Sequence, residues 1–410
     1  MYVILTGQHQ VSIMDLLDTQ SGLPHIDVKE YLLSSFIDLA DPDDTSLERD
    51  QDDPIEYTLK LGSELIQSAM EASFPYPFHL LETGSVPENV YCTPYEKSSN
   101  DELRLTHTEA DFMVVIDLDM ITRGNHVIQD IEGSHGFLRV ELTGEINPPY
   151  SYLGRTDGNK KLFVHEKNGK QYLSGEKIIQ VADSSLDDHW NTVIAEQIGV
   201  RDKSVLNRII KTERNGPALT IIANEDCIPP EEVKEGVDNR GPQELDCVMA
   251  IKLPSWPSQA AEWLTRKRVW PPQEKVDEII RESAMAVVKV SPEGDPDCDW
   301  RLSFSKAEIM LVSDLDSDAT CRLYAYRIFK YIIKRHVIPR AAITSYEPQT
   351  TLASYHLKTI LLWMSEIFPP EYWSWENLSN CYLGEFGHFL RPGTTTSHYL
   401  RESLRLCKYL

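Results

Sequence analysis

Residues 106–120, THTEADFMVVIDLDM, constrain this chain more than any other segment. Glu109 and Asp111 lead directly into the apolar run Phe112–Ile116. In a strand, side chains at i and i+2 share a face. The pattern therefore predicts a strand whose two carboxylates project together, while Phe112, Val114 and Ile116 turn the other way. Taken alone, such alternation describes any half-exposed strand. A third acid, Asp246, changes its weight, because it heads a second apolar run, Cys247–Ile251. A carboxylate entering a buried strand has to be paired or has to coordinate a metal.

Clustered carboxylate oxygens, completed by substrate phosphates, are what a hard divalent cation takes. Two such ions about 3.5–4 Å apart clamp the attacking and leaving oxygens of an in-line displacement. Glu109, Asp111 and Asp246 are thus candidate catalytic and metal-binding residues for two Mg2+ or Mn2+ ions. Upstream, Gly84-Ser85 reads as a tight turn whose backbone and hydroxyl can meet a triphosphate. The Val86-Pro87-Glu88-Asn89 that follows supports a loop, and no GxxxxGK[ST] is present. Asp117 and Asp119 share parity with the first two acids, but at about 3.3 Å per residue they lie too far along the strand. They are expected at the strand end or in a turn.

The chain has 410 residues, 41% hydrophobic and 25% charged, which is ordinary for a globular protein. No apolar run approaches the roughly 20 residues needed to cross a bilayer. MYVILTGQHQ has neither a charged n-region nor a small-residue cleavage site, so no signal peptide is read. Seven singly scattered cysteines without CxxC suit a reducing, cytoplasmic setting, and no structural zinc is expected from their spacing. The net charge of −24 weakens non-specific attraction to nucleic acid but does not exclude a local basic face. Arg208, Lys211 and Arg214 recur at spacing three, which on a helix makes a cationic stripe. It is a candidate ligand-binding face, and equally an ordinary solvated one.

Periodicity divides the chain into an N-terminal segment with an acidic linker (1–53), a mixed core (54–253) and a mostly helical lobe (254–410). The fold class expected is α+β and bilobal, with a mixed sheet behind a long N-terminal helix. Val11–Leu17 and Val28–Leu39 are amphipathic, the first a helix capped by Ser12 or a short arm. A long helix is expected over 54–72. MVVIDLDM, GFLRVEL, SYLGRT, KLFVHE and KIIQVAD read as strands, and Lys167-Asn168-Gly169-Lys170 as a hairpin turn. Residues 186–214 read as helical. Strands resume at Gly216–Ala223 and Leu245–Ile251. Helices are then expected at 258–266, 273–286, 305–312, 318–336, 349–367 and 397–409. The polar stretch between Ser85 and Glu109 is expected to be a mobile loop beside the metal site.

The order Gly84-Ser85, Glu109-Ala110-Asp111, Asp246 resembles the nucleotidyltransferase superfamily of polymerase-beta type. Asn215-Gly-Pro-Ala-Leu-Thr-Ile221, Trp256-Pro257, Trp263 and Arg266-Lys-Arg-Val-Trp270-Pro271 resemble the Mab-21 family within it. Trp300-Arg-Leu-Ser-Phe-Ser305 with Glu308, Lys330-Tyr331 and Ser354-Tyr-His-Leu-Lys-Thr359 are similar to segments of the cyclic GMP-AMP synthase (cGAS)-like receptors. The resemblance covers most of the chain from about residue 55. It implies that Arg301, Ser303 and Glu308 meet an acceptor nucleotide. Lys330 and Ser354 would contact donor phosphates, and Tyr355 would stack on a base; a surface lysine and a core tyrosine are the plain alternatives. It further implies a cyclic dinucleotide made from ATP, GTP or another pair after ligand sensing, a STING-type receptor for the product, and a ligand-induced dimer. The family's His/Cys-rich insertion that grips DNA has no counterpart here, so double-stranded RNA is favoured over DNA. A catalytically silent scaffold and a linear oligonucleotide synthase are the alternatives.

Overall fold

The computed structural model describes residues 2–3, 11–12, 54–84, 87–88, 95–97, 103–105, 108–146, 162–189, 210–223, 243–282, 284–292, 294–317, 320–332, 354–374 and 377. The strands are β1 (Tyr2–Val3), β2 (Val11–Ser12), β3 (Phe78–Thr83), β4 (Tyr95–Lys97), β5 (Leu103–Leu105), β6 (Thr108–Asp117), β7 (His126–Asp130) and β8 (Phe137–Leu142). There follow β9 (Val164–Lys167), β10 (Lys170–Leu173), β11 (Ile210–Asn215), β12 (Ala218–Ala223), β13 (Gln243–Lys252), β14 (Met285–Val288) and β15 (Asp299–Ser303). The helices are α1 (Pro54–Ser73), α2 (Leu118–Thr122), α3 (Gly175–His189), α4 (Ala261–Thr265), α5 (Gln273–Glu282), α6 (Ser305–Ser317), α7 (Arg322–Ile332) and α8 (Ser354–Ile367). The fold is α+β, and no helix among the described residues is long and apolar enough to cross a membrane.

The main sheet runs β11-β12-β13-β14-β15-β8-β10-β9, with β6 paired to β13 and to β3, and β7 paired to β8. β6 and β13 are parallel over their full length; β3 joins β6 antiparallel. The residues of β6 are buried from Ala110 to Ile116 except Asp111, as expected of a strand covered on both faces. Phe112, Val114 and Ile116 enter the main core with Ile66 and Met70 of α1 and Ile178 and Leu186 of α3. Met113 and Val115, on the face of Asp111, join a smaller cluster with Ala250, Met285 and Val287. A helical core gathers α6, α7 and α8 around Trp270 and Trp373. Trp256 and Phe304 pack against both large cores.

Two local structures match the sequence closely. Asn168 (φ 52°) and Gly169 (φ 75°) give the β9–β10 hairpin its two-residue turn with both central residues left-handed. Asp117 ends β6 and caps α2, accepting the Asp119 N–H at 2.8 Å.

Other expectations fail for physical reasons. KIIQVAD is helical, not a strand: Ile178, Ile179, Ala182 and Leu186 are buried at helical spacing along α3. Predicted helix 273–286 ends at Glu282, and Met285–Val288 forms a strand buried at every position. Val11–Ser12 pairs with Tyr2–Val3 as extended chain, not as a helix start. The cationic helix over Arg208, Lys211 and Arg214 is also corrected. Lys211 and Arg214 lie on β11, where a spacing of three puts positions on opposite faces. Arg214 forms a bidentate pair with Glu176 of α3. Arg208, SYLGRT, the acidic run 41–53 and the tail 397–409 lie outside the described residues. Within the stretch between Ser85 and Glu109, β4 and β5 form a two-stranded ribbon.

Candidate functional site

The site begins with strand register. Asp111 of β6 stands opposite Asp246 of β13, and Glu109 opposite Glu244. Adjacent strands are about 4.8 Å apart, so the two aspartates sit side by side on one face. Thr220 on β12 pairs with Asp246 and donates from Oγ1 to Asp246 Oδ1 at 2.6 Å. That bond fixes the carboxylate's direction. Next to Asp246, burial pushes the Cys247 thiol up to about 12, with the Asp246 charge adding to it, and the side chain is fully buried in the main core.

On the other flank, Thr83 of β3 pairs with Asp111, and Gly84 follows with φ +80°. A Cβ at Gly84 would lie 1.9 Å from Asp111 Oδ2. Glycine is required here twice over, for the left-handed backbone and for the space above the carboxylate. Gly84→Ala should therefore cost about 1–2 kcal/mol from backbone conformation alone, and it must also displace Asp111. The expected result is a modest fall in thermal stability, read by calorimetry, with Asp111 pushed out of its place beside Asp246.

The nucleotide-contact candidates form a second group. Trp300 and Leu302 of β15 point into the main core, and the Trp300 indole donates to the Leu173 carbonyl at 3.2 Å. Arg301 and Ser303 consequently take the opposite face. Arg301 Nε is buried with no hydrogen-bond partner among the described residues. Burial pulls its guanidinium below the ordinary arginine range, opposed by Tyr355 and Glu308 nearby. Ser303 Oγ lies 3.1 Å from Ser305 Oγ at the start of α6. Glu308, in the first turn of α6, pairs with Lys358 Nζ at 2.6 Å. The same ammonium pairs with Glu88 at 2.7 Å and stands 5.8 Å from the centre of the Tyr355 ring. Burial alone would lower the Lys358 pKa, but Glu308 and Glu88 outweigh it and raise it. Lys330, near the end of α7, is 7% exposed, so it is no solvated surface lysine. Its charge is felt at Glu88.

The two groups are connected. Glu88 lies four residues beyond Gly84, so the segment leaving β3 reaches Lys358 on α8. Below it, Trp263 and Arg266 hold Glu366 of α8 at 2.8 and 3.1 Å, and Arg266 covers the Trp363 ring at 3.9 Å. The Trp263 and Arg266 motif thus anchors the helix that carries Lys358.

Asp111 and Asp246 are brought together, as are Arg301, Glu308, Lys330 and Tyr355. Glu109 holds its strand position and Ser354 opens α8, but their side chains, and all of Ser85, lie outside the described residues. Sequence reasoning gave no role to Thr220, Glu88 or Lys358. Thr220 and Lys358 stand inside motifs already singled out; Glu88 carries no local signal.

The donor set fits a hard divalent ion, with carboxylate oxygens on adjacent strands and a glycine whose missing Cβ leaves room for the Asp111 carboxylate. A sequence profile of the Mab-21 protein nucleotidyltransferase domain matches residues 101–314, and one of the Mab-21 protein HhH/H2TH-like domain matches residues 321–402. Protein mab-21-like 3 of Danio rerio is 26% identical over 174 residues, 40% of each chain. Its Xenopus laevis namesake is 25% identical over 140 residues, 34% of each chain. A cyclic GMP-AMP synthase-like receptor of Magallana gigas is 33% identical over 138 residues, 31% of this chain and 21% of that protein. The chain thus spans about two fifths or less of the length of these relatives.

Proposed function

This chain belongs to the Mab-21 nucleotidyltransferase family, and from that premise we propose that it is a metal-dependent synthase of a cyclic dinucleotide. The substrates are ATP with GTP, or another nucleotide pair. The observation that carries this reading is the in-register pairing of Asp111 with Asp246 beneath the Gly84 cradle.

Asp111 and Asp246, with Glu109 as third carboxylate, would hold two Mg2+ or Mn2+ ions. When bound, such ions supply Lewis-acid stabilisation of the attacking and leaving oxygens. Thr220 keeps Asp246 aimed at them. Gly84 admits the donor triphosphate to close backbone approach, with Ser85, Lys330 and Ser354 as its phosphate contacts. Tyr355 offers a flat surface for base stacking. Arg301, whose buried Nε has no partner among the described residues, orients the second nucleotide together with Ser303 and Glu308. An acceptor hydroxyl displaces pyrophosphate from the donor's α-phosphorus, and a second displacement at the same site closes the ring.

The activator in this reading is double-stranded RNA in the cytoplasm, with ligand-induced dimerisation and a STING-type receptor reading the product in innate immune signalling. The test is incubation with nucleotide pairs, Mg2+ or Mn2+, and double-stranded RNA or DNA of graded length. A phosphatase-resistant dinucleotide supports the reading; linear products of mixed length support an oligonucleotide synthase. Arg301→Gln should raise KM for the acceptor about 10–100-fold, because a charged hydrogen bond contributes about 1.5–3 kcal/mol, and should leave donor KM near its original value.

One observation favours a second reading, a catalytically silent scaffold acting through partner binding. Glu308, assigned to the acceptor, is already held by Lys358. Nucleotide and metal binding without turnover under every activator would support it.

A further inference from the structure

A different kind of ligand set lies at the far end of the sheet. His165 on β9, Asp295, and Cys298 just before β15 place one ligand atom each within 4.8 Å of one another. We propose that these three residues bind a borderline-soft divalent cation, Zn2+ foremost, and clip the β9–β10 hairpin to the turn that leads into β15. Nitrogen, oxygen and sulfur donors together suit Zn2+ and do not suit Mg2+, which keeps to oxygen. This site is therefore chemically distinct from the aspartate pair.

The turn is built before any ion arrives. Asp299, fully buried, accepts from the Ser291 hydroxyl at 2.6 Å and from the Asp295 N–H at 3.0 Å, and pairs with Arg139 at 2.7 Å. Asp295 Oδ1 accepts the Asp297 N–H at 3.0 Å. A Cβ on Gly294 would lie 1.9 Å from Asp299 Oδ2, so the chain can pass only as glycine. Asp295 and Cys298 are thereby fixed relative to each other. Bonds of about 2.0–2.3 Å to a tetrahedral ion put ligand atoms about 3.3–3.8 Å apart, so closure asks for roughly an ångström of movement. Asp297 lies 3.7 Å from His165 Nδ1, just beyond hydrogen-bond distance of the imidazole.

Charge also favours a dication. Arg139 and Lys167 stand against Asp295, Asp297 and Asp299, a formal charge of −1 on these five side chains. Binding Zn2+ as Cys298 releases its proton to solvent brings the group to neutrality. Lys167 contacts Asp295 and is the resident competitor.

The full chain, stripped with chelator, is titrated with Zn2+ and separately with Co2+. We expect one equivalent of Co2+ to give a thiolate-to-metal charge-transfer band and tetrahedral visible bands. Cys298→Ser and His165→Ala should abolish the charge-transfer band and tetrahedral bands respectively, and each should weaken Zn2+ binding more than the roughly 10-fold lost when an outer partner is removed. Lys167→Met should tighten it, and Asp111→Asn should leave it unchanged. His165 is half-buried, so its variant keeps the test informative if Cys298→Ser fails to fold. Absence of a thiolate band, or parental affinity in the His165 variant, overturns the proposal.

Discussion

If the proposed reaction holds, Asp246→Asn should abolish dinucleotide formation and leave the fold intact. The amide keeps the shape of the carboxylate, and its carbonyl still accepts the Thr220 hydroxyl that Asp246 accepts at 2.6 Å. What disappears is one negative charge of the facing pair formed with Asp111. In the proposed reaction, a metal-clamped displacement would then lose a direct ion ligand. Removing a single preorganised electrostatic contact already costs about 10²–10³-fold in other active sites, so a loss of roughly 10³-fold or more is expected here. Thermal unfolding should stay level or rise slightly, because two adjacent carboxylates repel each other without bound metal. Product assay and calorimetry on the same preparation check both halves. A fall in both would assign Asp246 to stability and not to chemistry.

Lys358→Met has the largest expected effect on stability. Lys358 bridges Glu88 and Glu308, whose side chains are 3% and 15% exposed. Removing the shared cation leaves two buried carboxylates with only the weaker influence of Lys330 on Glu88, and breaking a buried pair costs about 3–5 kcal/mol. The deficit should grow with pH. Burial already raises the Glu88 pKa, and Lys358 is the chief influence lowering it. Without Lys358, the folded-state pKa of Glu88 climbs further above its unfolded value. Its contribution is then complete below the unfolded carboxyl pKa and is lost as pH rises through the folded one. Denaturant titrations at pH 5 and pH 8 measure this directly. Adding Glu88→Gln and Glu308→Gln to the variant should recover much of the loss, since neutralising an entire buried ion group costs far less than breaking it.

These residues also show what can be read from one dimension. The β6 strand, the Asn168-Gly169 turn and α1 are legible because each is fixed by local periodicity or local backbone preference. The face shared by Asp111 and Asp246 follows from parity once the two strands are parallel and in register, though register itself is a tertiary property. α3 is misread because Ile178, Ile179 and Val181 crowd apolar residues as a strand does; burial against α1 and the sheet selects the helical period. The basic stripe depended wholly on a helix at 208–214, and the strand Ile210–Asn215 puts Lys211 and Arg214 on opposite faces. Lys358 stood in a recognised motif, but its partner Glu88 is 270 positions away, beyond any local pattern.

Pyrophosphate release tests the central claim most directly. The protein is given ATP and GTP with Mn2+ and double-stranded RNA, and pyrophosphate is counted against dinucleotide formed. The account predicts two pyrophosphates for each phosphatase-resistant product, and none from the Asp246→Asn variant. Bound Mn2+ and bound nucleotide with no pyrophosphate under any activator would contradict it.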